Sequence, residues 1–340
     1  MNALPNTETR SSGASRHMRE PYRVLTAAIL LMHAALLGWL AWKDSPTWDE
    51  VGHLGAGLSH WSTGRFGLYR VNPPLVRIVA CGPVWCLLRP QYAPEASAAT
   101  RDPLDRPEFN AGRMVISANG ERSFWMMTVA RWSCVPLVVL GAGTCARWAR
   151  ELYGPLAGLF ALLLWAFCPA LLGYGHLITP DAGATAMGIV AAFTFWRWVR
   201  SPTWFWAITV GIALGLVELT KTTWIILFAI WPALWLEYRS LGPGGASRKT
   251  LLPEFRQLLL MIVLAIWIIN LGYGFEASFK PLGDYRFISR TMTGVSHDDA
   301  RRVGNRFAGT WLGRLPVPLP ENYLSGIDVQ KADFELSVIT

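Results

Sequence analysis

The stretch VLTAAILLMHAALLGWLAW, residues 24–42, contains no Asp, Glu, Lys or Arg. At 1.5 Å per residue, a run of about 20 apolar residues crosses the ~30 Å hydrocarbon layer of a bilayer. This run is long for the core of a signal peptide, and no small-residue cleavage site follows it. It therefore reads as a retained span. The polar residues before it include Arg10, Arg16 and Arg19. Residues 1–23 read as a disordered cytoplasmic tail.

Six more apolar runs follow, at 124–146, 156–174, 182–199, 204–219, 223–236 and 258–273. The expected fold is all-α, a polytopic membrane protein of about seven transmembrane helices over residues 24–273. Composition agrees: 52% of the 340 residues are hydrophobic and 16% charged, against roughly 25% charged in soluble chains. The chain also holds 18 Trp. A disordered chain, a small disulfide-stapled module and most soluble enzymes are excluded. The net charge of +8 does not imply nucleic acid, because Lys and Arg fall between apolar runs and form no clustered basic face. Cys81, Cys86, Cys134, Cys145 and Cys168 are unevenly spaced and read as apolar packing residues.

With the tail inside the cell, the inner connections are 147–154, 197–203 and 237–256. They carry Arg147, Arg150, Arg197, Arg200, Arg239, Arg248, Lys249 and Arg256. The outer turns 175–181 and 220–222 hold only Lys221. This asymmetry follows the positive-inside rule. Trp39, Trp42, Trp48, Trp204, Trp206 and Trp224 lie near span ends, where indoles favour the interface. Two long segments then lie outside, 43–123 and 274–340. The first is expected to be structured by two short helices, 50–61 and an interfacial one at 75–88, separated by the break Asn72-Pro73-Pro74. The second shows no strong period, and no internal repeat is visible. It reads as an incomplete loop domain, with 316–334 resembling the middle of an extramembrane structure, so the chain is expected to be the N-terminal portion of a longer protein.

Ionisable groups beside the bilayer are expensive and mark functional sites. Asp49-Glu50 lies just past the first span. Adjacent carboxylates on a helix point in different directions, so one should face a site and the other solvent or a partner. Helix capping is the competing role. Asp181 and His176 lie in the turn between the third and fourth spans, and Lys221 follows Glu218 at the end of the fifth, where the two are spaced as an i,i+3 pair. These turns bring Asp49, Asp181 and Lys221 to one membrane face. A carboxylate there suits deprotonation of a hydroxyl acceptor, and a cation suits a lipid phosphate. Arg70 and Arg77, flanking Asn72-Pro73-Pro74, add phosphate contacts or extend to the headgroups. Asp49, Glu50, Asp181 and His176 have the donor types for a divalent cation, but no spacing demands one, and neither a metal site nor a cofactor is expected.

Several motifs resemble those of the GT-C membrane glycosyltransferases, in particular bacterial relatives of protein O-mannosyltransferases and of lipid A aminoarabinose transferase. They are Trp48-Asp49-Glu50 after the first span, Asn72-Pro73-Pro74-Leu75, Ala130-Arg131-Trp132 opening the second span, Thr179-Pro180-Asp181, and GIALGLVELTK at 211–221. Asn72 stands where that family commonly has His. The resemblance implies a bacterial inner-membrane protein with an outer-facing site. It implies inverting transfer of a sugar from a polyprenyl-phosphate-linked donor to a hydroxyl of a protein, lipid or glycan acceptor. By the same resemblance Asp49 is the base, Asp181 shapes the acceptor and donor site, and Lys221 contacts the donor phosphate. From their positions, Glu50 is read with Asp49 and Asp181 as catalytic, and Arg70, Asn72, Arg77 and His176 as lining the substrate site. The competing readings are a transporter subunit, disfavoured because the acidic groups sit at span ends, and a non-catalytic scaffold.

Overall fold

The computed structural model describes residues 10–92, 106–241, 248–294 and 303–337. Among them there is no strand, and thirteen α-helices make an all-α polytopic membrane protein. The helix α1 (Arg10–Lys43) begins inside the segment read as a disordered tail; residues 1–9 lie outside the described residues. The first loop folds as α2 (Trp48–Thr63), α3 (Leu75–Pro83) with a π-helical turn at Val84–Leu88, and α4 (Pro107–Asn119). The sequence reading has no counterpart to α4, whose mixed polarity carries no strong apolar run.

The seven apolar runs all fall on helices. They are α1, α5 (Arg122–Tyr153), the pair α6 (Pro155–Ala166) and α7 (Pro169–Gly175), α8 (Pro180–Arg200), α9 (Trp204–Glu218), α10 (Leu227–Leu241) and α11 (Arg248–Gly272). Three of these are long and apolar enough to cross a membrane: α1 over Glu20–Lys43, α5, and α11 over Leu251–Gly272. The pair α6–α7, bent by 56°, makes a fourth if taken as one span. Pro169 causes that break, since it lacks an N–H and bars helical backbone at Cys168. The run at 223–236 opens instead as a 3-10 turn, Thr222–Ile226. Beyond α11, α12 (Arg290–Thr293) and α13 (Glu321–Ser337) complete the fold.

Four buried clusters hold the bundle. One joins α8, α9, α10 and α11 around Trp198, Leu214, Trp231 and Met261. A second packs α2 and α3 on α5 through Leu54, Leu58, Val76 and Met126. A third joins α1, α5, α6 and α8 through Leu37, Val138, Leu162 and Ala186. The fourth closes one end of the bundle with Phe66, Leu219, Tyr273 and Tyr323. Large apolar side chains such as Phe160, Leu164, Phe205 and Val263 remain exposed on the helix exteriors, as lipid contact requires.

Charged groups are sorted to the two ends. At one end Glu151 of α5 accepts from Arg147 (3.1 Å) and Arg197 (2.7 Å), and Glu254 of α11 pairs with Arg239 (2.6 Å). The opposite end carries α2, α3, α4 and α13. There α2 and α4 cross at glycines: a Cβ on Gly112 would meet the backbone carbonyl of Val51, and one on Gly55 would meet the Gly112 backbone. Gly112→Ala therefore should destabilise the protein by about 1–3 kcal/mol through overpacking. Gly173→Ala, where a Cβ meets open space, should change stability by less than about 0.5 kcal/mol. Thermal unfolding of the two variants in detergent checks the contrast.

Candidate active site

Thr47 caps α2, and the Glu50 carboxylate reaches back to accept from the Thr47 N–H (2.9 Å) and hydroxyl (3.1 Å). The same carboxylate receives a bidentate ion pair from Arg131 of α5, Nε to Oε1 at 2.8 Å and Nη2 to Oε2 at 2.6 Å. It also accepts from the Ile178 N–H at 3.2 Å. Arg131 spends its remaining donors on the carbonyls of Ala41 (3.1 Å), Asp44 (2.6 Å) and Ser45 (3.0 Å). All five guanidinium N–H groups are thus satisfied, and both side chains are buried. Burial alone would raise the Glu50 carboxyl, but Arg131 and the Thr47 and Ile178 N–H groups hold it below its usual range.

Glu50 therefore differs from the expectation that it shares chemistry with Asp49. Its oxygens are taken up, and it positions the elements around it. Asp49 projects to the exterior, and its carboxylate has no hydrogen-bond or ion-pair partner among the described residues. The Ile178 contact draws the turn before α8 against the first turn of α2. In that turn His176 is buried, with Nδ1 on the Leu172 carbonyl (2.8 Å) and Nε2 on Asp44 (3.1 Å). Thus His176 ties α7 to the end of α1 and does not open to the exterior.

Asp181 lies in the first turn of α8, where its charge suits the helix dipole. Its Oδ1 accepts from Lys221 Nζ at 2.9 Å, and both side chains are partly exposed. This pair replaces the local one expected between Glu218 and Lys221. The helix α9 ends at Glu218, Lys221 is extended (φ −153°, ψ 131°), and Glu218 is buried. The Glu218 carboxylate accepts instead from the Tyr323 hydroxyl of α13 at 2.7 Å.

Arg77 is buried. Its Nη2 donates to the carbonyls of Asn72 (2.7 Å) and Tyr69 (3.1 Å), and its Nε donates to His60 Nε2 (3.3 Å). The guanidinium also lies over the Tyr69 ring at 4.5 Å. It staples the Asn72-Pro73-Pro74 break from beneath, in place of the phosphate contact expected. Burial, with Arg77 alongside, pushes the His60 imidazole down to about 3. Neutral His60 accepts from Arg77 at one nitrogen and donates to the Arg65 carbonyl at the other (3.0 Å). The Asn72 amide donates to the Tyr69 hydroxyl at 3.4 Å. The Arg70 backbone carbonyl lies under Gly326 of α13, where no Cβ would fit.

Helix α13 thus roofs this end of the bundle. Gln330 accepts from Thr222 (2.7 Å) and Asp333 from Arg106 (2.7 Å). Sequence reasoning missed this roof and the purpose of Arg131. Arg131 was detectable in principle, since a lone Arg within an apolar run requires a buried acceptor. Among the described residues no three of His, Cys, Asp and Glu gather as a metal-holding group.

Residues 123–273 match the family model of dolichyl-phosphate-mannose-protein mannosyltransferase. No curated protein and no solved structure gives a significant match.

The Arg131–Glu50 pair sets a stability prediction. Removing one partner of a buried pair typically costs about 3–5 kcal/mol, and removing both costs less. Arg131→Leu should lower stability by that amount, and Glu50→Leu/Arg131→Leu should recover part of the loss. Because the Glu50 carboxyl is depressed, its stabilisation is present above the ordinary carboxylate pKa and is lost as pH falls through the folded value. Thermal unfolding between about pH 3 and 7 should show this loss in the parent and a weaker one in Arg131→Leu.

Proposed function

We propose that the protein transfers a sugar from a polyprenyl-phosphate-linked donor to an acceptor hydroxyl of a protein, lipid or glycan, with inversion at the anomeric carbon. The observation that carries this reading is the Asp181–Lys221 ion pair, partly exposed at one end of the bundle, in a chain that matches the mannosyltransferase family model over residues 123–273. Lys221 gives one of its three ammonium donors to Asp181 and has others to offer a phosphate. Asp49, one residue from the Glu50 clamp, presents a carboxylate without a partner among the described residues.

In the proposed step, the acceptor oxygen attacks the anomeric carbon from the face opposite the phosphate. The anomeric carbon–oxygen bond to phosphate breaks, and its electron pair leaves on the phosphate oxygen. The hydroxyl proton passes to Asp49. Lys221 stabilises the departing lipid phosphate, and Asp181 orients Lys221 and the acceptor. Phosphate is a good leaving group, so the step needs no strong general acid, and its balance calls for no cofactor. The arginines at the other end of the bundle support a cytoplasmic assignment for that end by the positive-inside rule. The site then faces outward from the plasma membrane, which the resemblance assigns to a bacterium.

Two variants test the assignment, with the full chain in proteoliposomes containing polyprenyl-phosphate-linked mannose. Asp49→Asn should lower turnover by about 10²–10⁴-fold, the usual worth of a general base, with insertion intact; near-normal turnover removes Asp49 from the chemistry. Lys221→Ala should raise the KM for donor roughly tenfold, as loss of about 1.4 kcal/mol of charge-assisted bonding does, and leave acceptor dependence nearly unchanged. An unaltered donor KM would leave Lys221 a structural partner of Asp181.

A further inference from the structure

At the end of the bundle away from the candidate site, α5, α8 and α10 line an open cleft of about 990 Å³. That is near the upper end of the roughly 300–1,000 Å³ found for small-ligand pockets. Its walls include Trp148, Phe195, Trp196, Trp231 and Leu234. The lining positions run from Ala192 to Arg200 on α8 and from Trp231 to Leu241 on α10. At 1.5 Å per residue the cleft is therefore about 12–15 Å long. Such a space is too long and too apolar for a free phosphate or a sugar.

The polar groups at its mouth are Arg200, Glu237 and Arg239. Arg239 is already committed, to Glu254 at 2.6 Å and to the Val199 carbonyl at 2.8 Å. Arg200 lies over the Trp196 ring at 4.9 Å and has no carboxylate partner among the described residues. The Trp148 indole N–H is buried and meets no acceptor among them. The cleft thus combines an apolar slot, a spare N–H donor and a mouth that carries two cations, Arg200 and Arg239, against the one carboxylate of Glu237.

Its depth in the bilayer follows from α8. Asp181 and Arg200 stand near opposite ends of this one helix, about 28 Å apart along its axis. That distance matches the ~30 Å hydrocarbon core, and α8 packs along α5, which is long and apolar enough to cross it, so the cleft and the Asp181–Lys221 pair face opposite leaflets. We propose that the cleft binds an anionic phospholipid of that leaflet. One acyl chain lies among the indoles, and the headgroup phosphate rests on Arg200. This rests on membrane embedding and not on the transfer reaction, so either inference can fail without the other.

The test is native mass spectrometry of the full chain in detergent, titrated with dioleoylphosphatidylglycerol or dioleoylphosphatidylcholine. The parent should retain the anionic lipid about fivefold better, the equivalent of ~1 kcal/mol for one cation at an anionic surface. Arg200→Ala should bring the two lipids to equal retention. Ala192→Trp and Leu234→Trp fill the slot from facing walls, and whichever of them keeps the parent's helical circular dichroism should lose both lipids. The proposal is overturned by equal retention in the parent, by retained preference in Arg200→Ala, or by undiminished binding in a folded filled variant. Displacement of the glycerophospholipid by equimolar polyprenyl phosphate would also overturn it, making the cleft a second donor-lipid site.

Discussion

The arrangement of the candidate site depends on one buried ion pair, Arg131 with Glu50. An arginine one-third of the way along an apolar helix is costly unless every donor finds an acceptor. Here the five donors are taken by one carboxylate and three carbonyls from the end of α1 and the linker after it. The carboxylate in turn holds the start of α2 and the turn before α8. Four chain segments therefore meet at one point. Asp49 and Asp181 are placed by that meeting although neither takes part in it.

Arg77 is a second buried arginine one layer away, bonded through Nε and Nη2, with Nη1 meeting no acceptor among the described residues. A guanidinium buried beneath the Asn72-Pro73-Pro74 break binds the carbonyls that the prolines leave without helical partners. A neutral His60 supplies another acceptor. On the far side of the break, the Leu75 N–H bonds the Leu219 carbonyl at 2.9 Å and so joins the first loop to the end of α9. Tyr323 and Gln330 of α13 then hold Glu218 and Thr222 on either side of Lys221. The polar residues of this end divide into buried ones that position the backbone and ones that reach the surface, Asp49, Asp181 and Lys221.

This division explains what was legible in the sequence and what was not. The apolar runs were legible because hydropathy over about 20 residues is a local property, and each run lies on a helix. Asp49 and Glu50 were legible as a pair that must diverge. Which one faces outward was not, because that depends on Arg131, 81 residues away. The i,i+3 spacing of Glu218 and Lys221 suggested a pair that the structure does not make, because the helix stops at Glu218 and the extended backbone at Lys221 turns its ammonium toward Asp181, 40 residues back. Arg77 read as a phosphate or headgroup contact and His176 as lining the substrate site, yet the packing of α3 and of α1 covers them.

By itself the sequence determined that this chain is helical, lies in a membrane, and carries acidic and basic groups at the ends of its apolar segments. Those properties follow from the transfer free energy of each residue and its near neighbours. Only the tertiary structure decided which of those charged groups are spent inside the protein and which remain at its surface. Burial and partner choice are set by residues far apart in the chain, and a charge taken out of water near the bilayer must find its partner wherever the fold brings one.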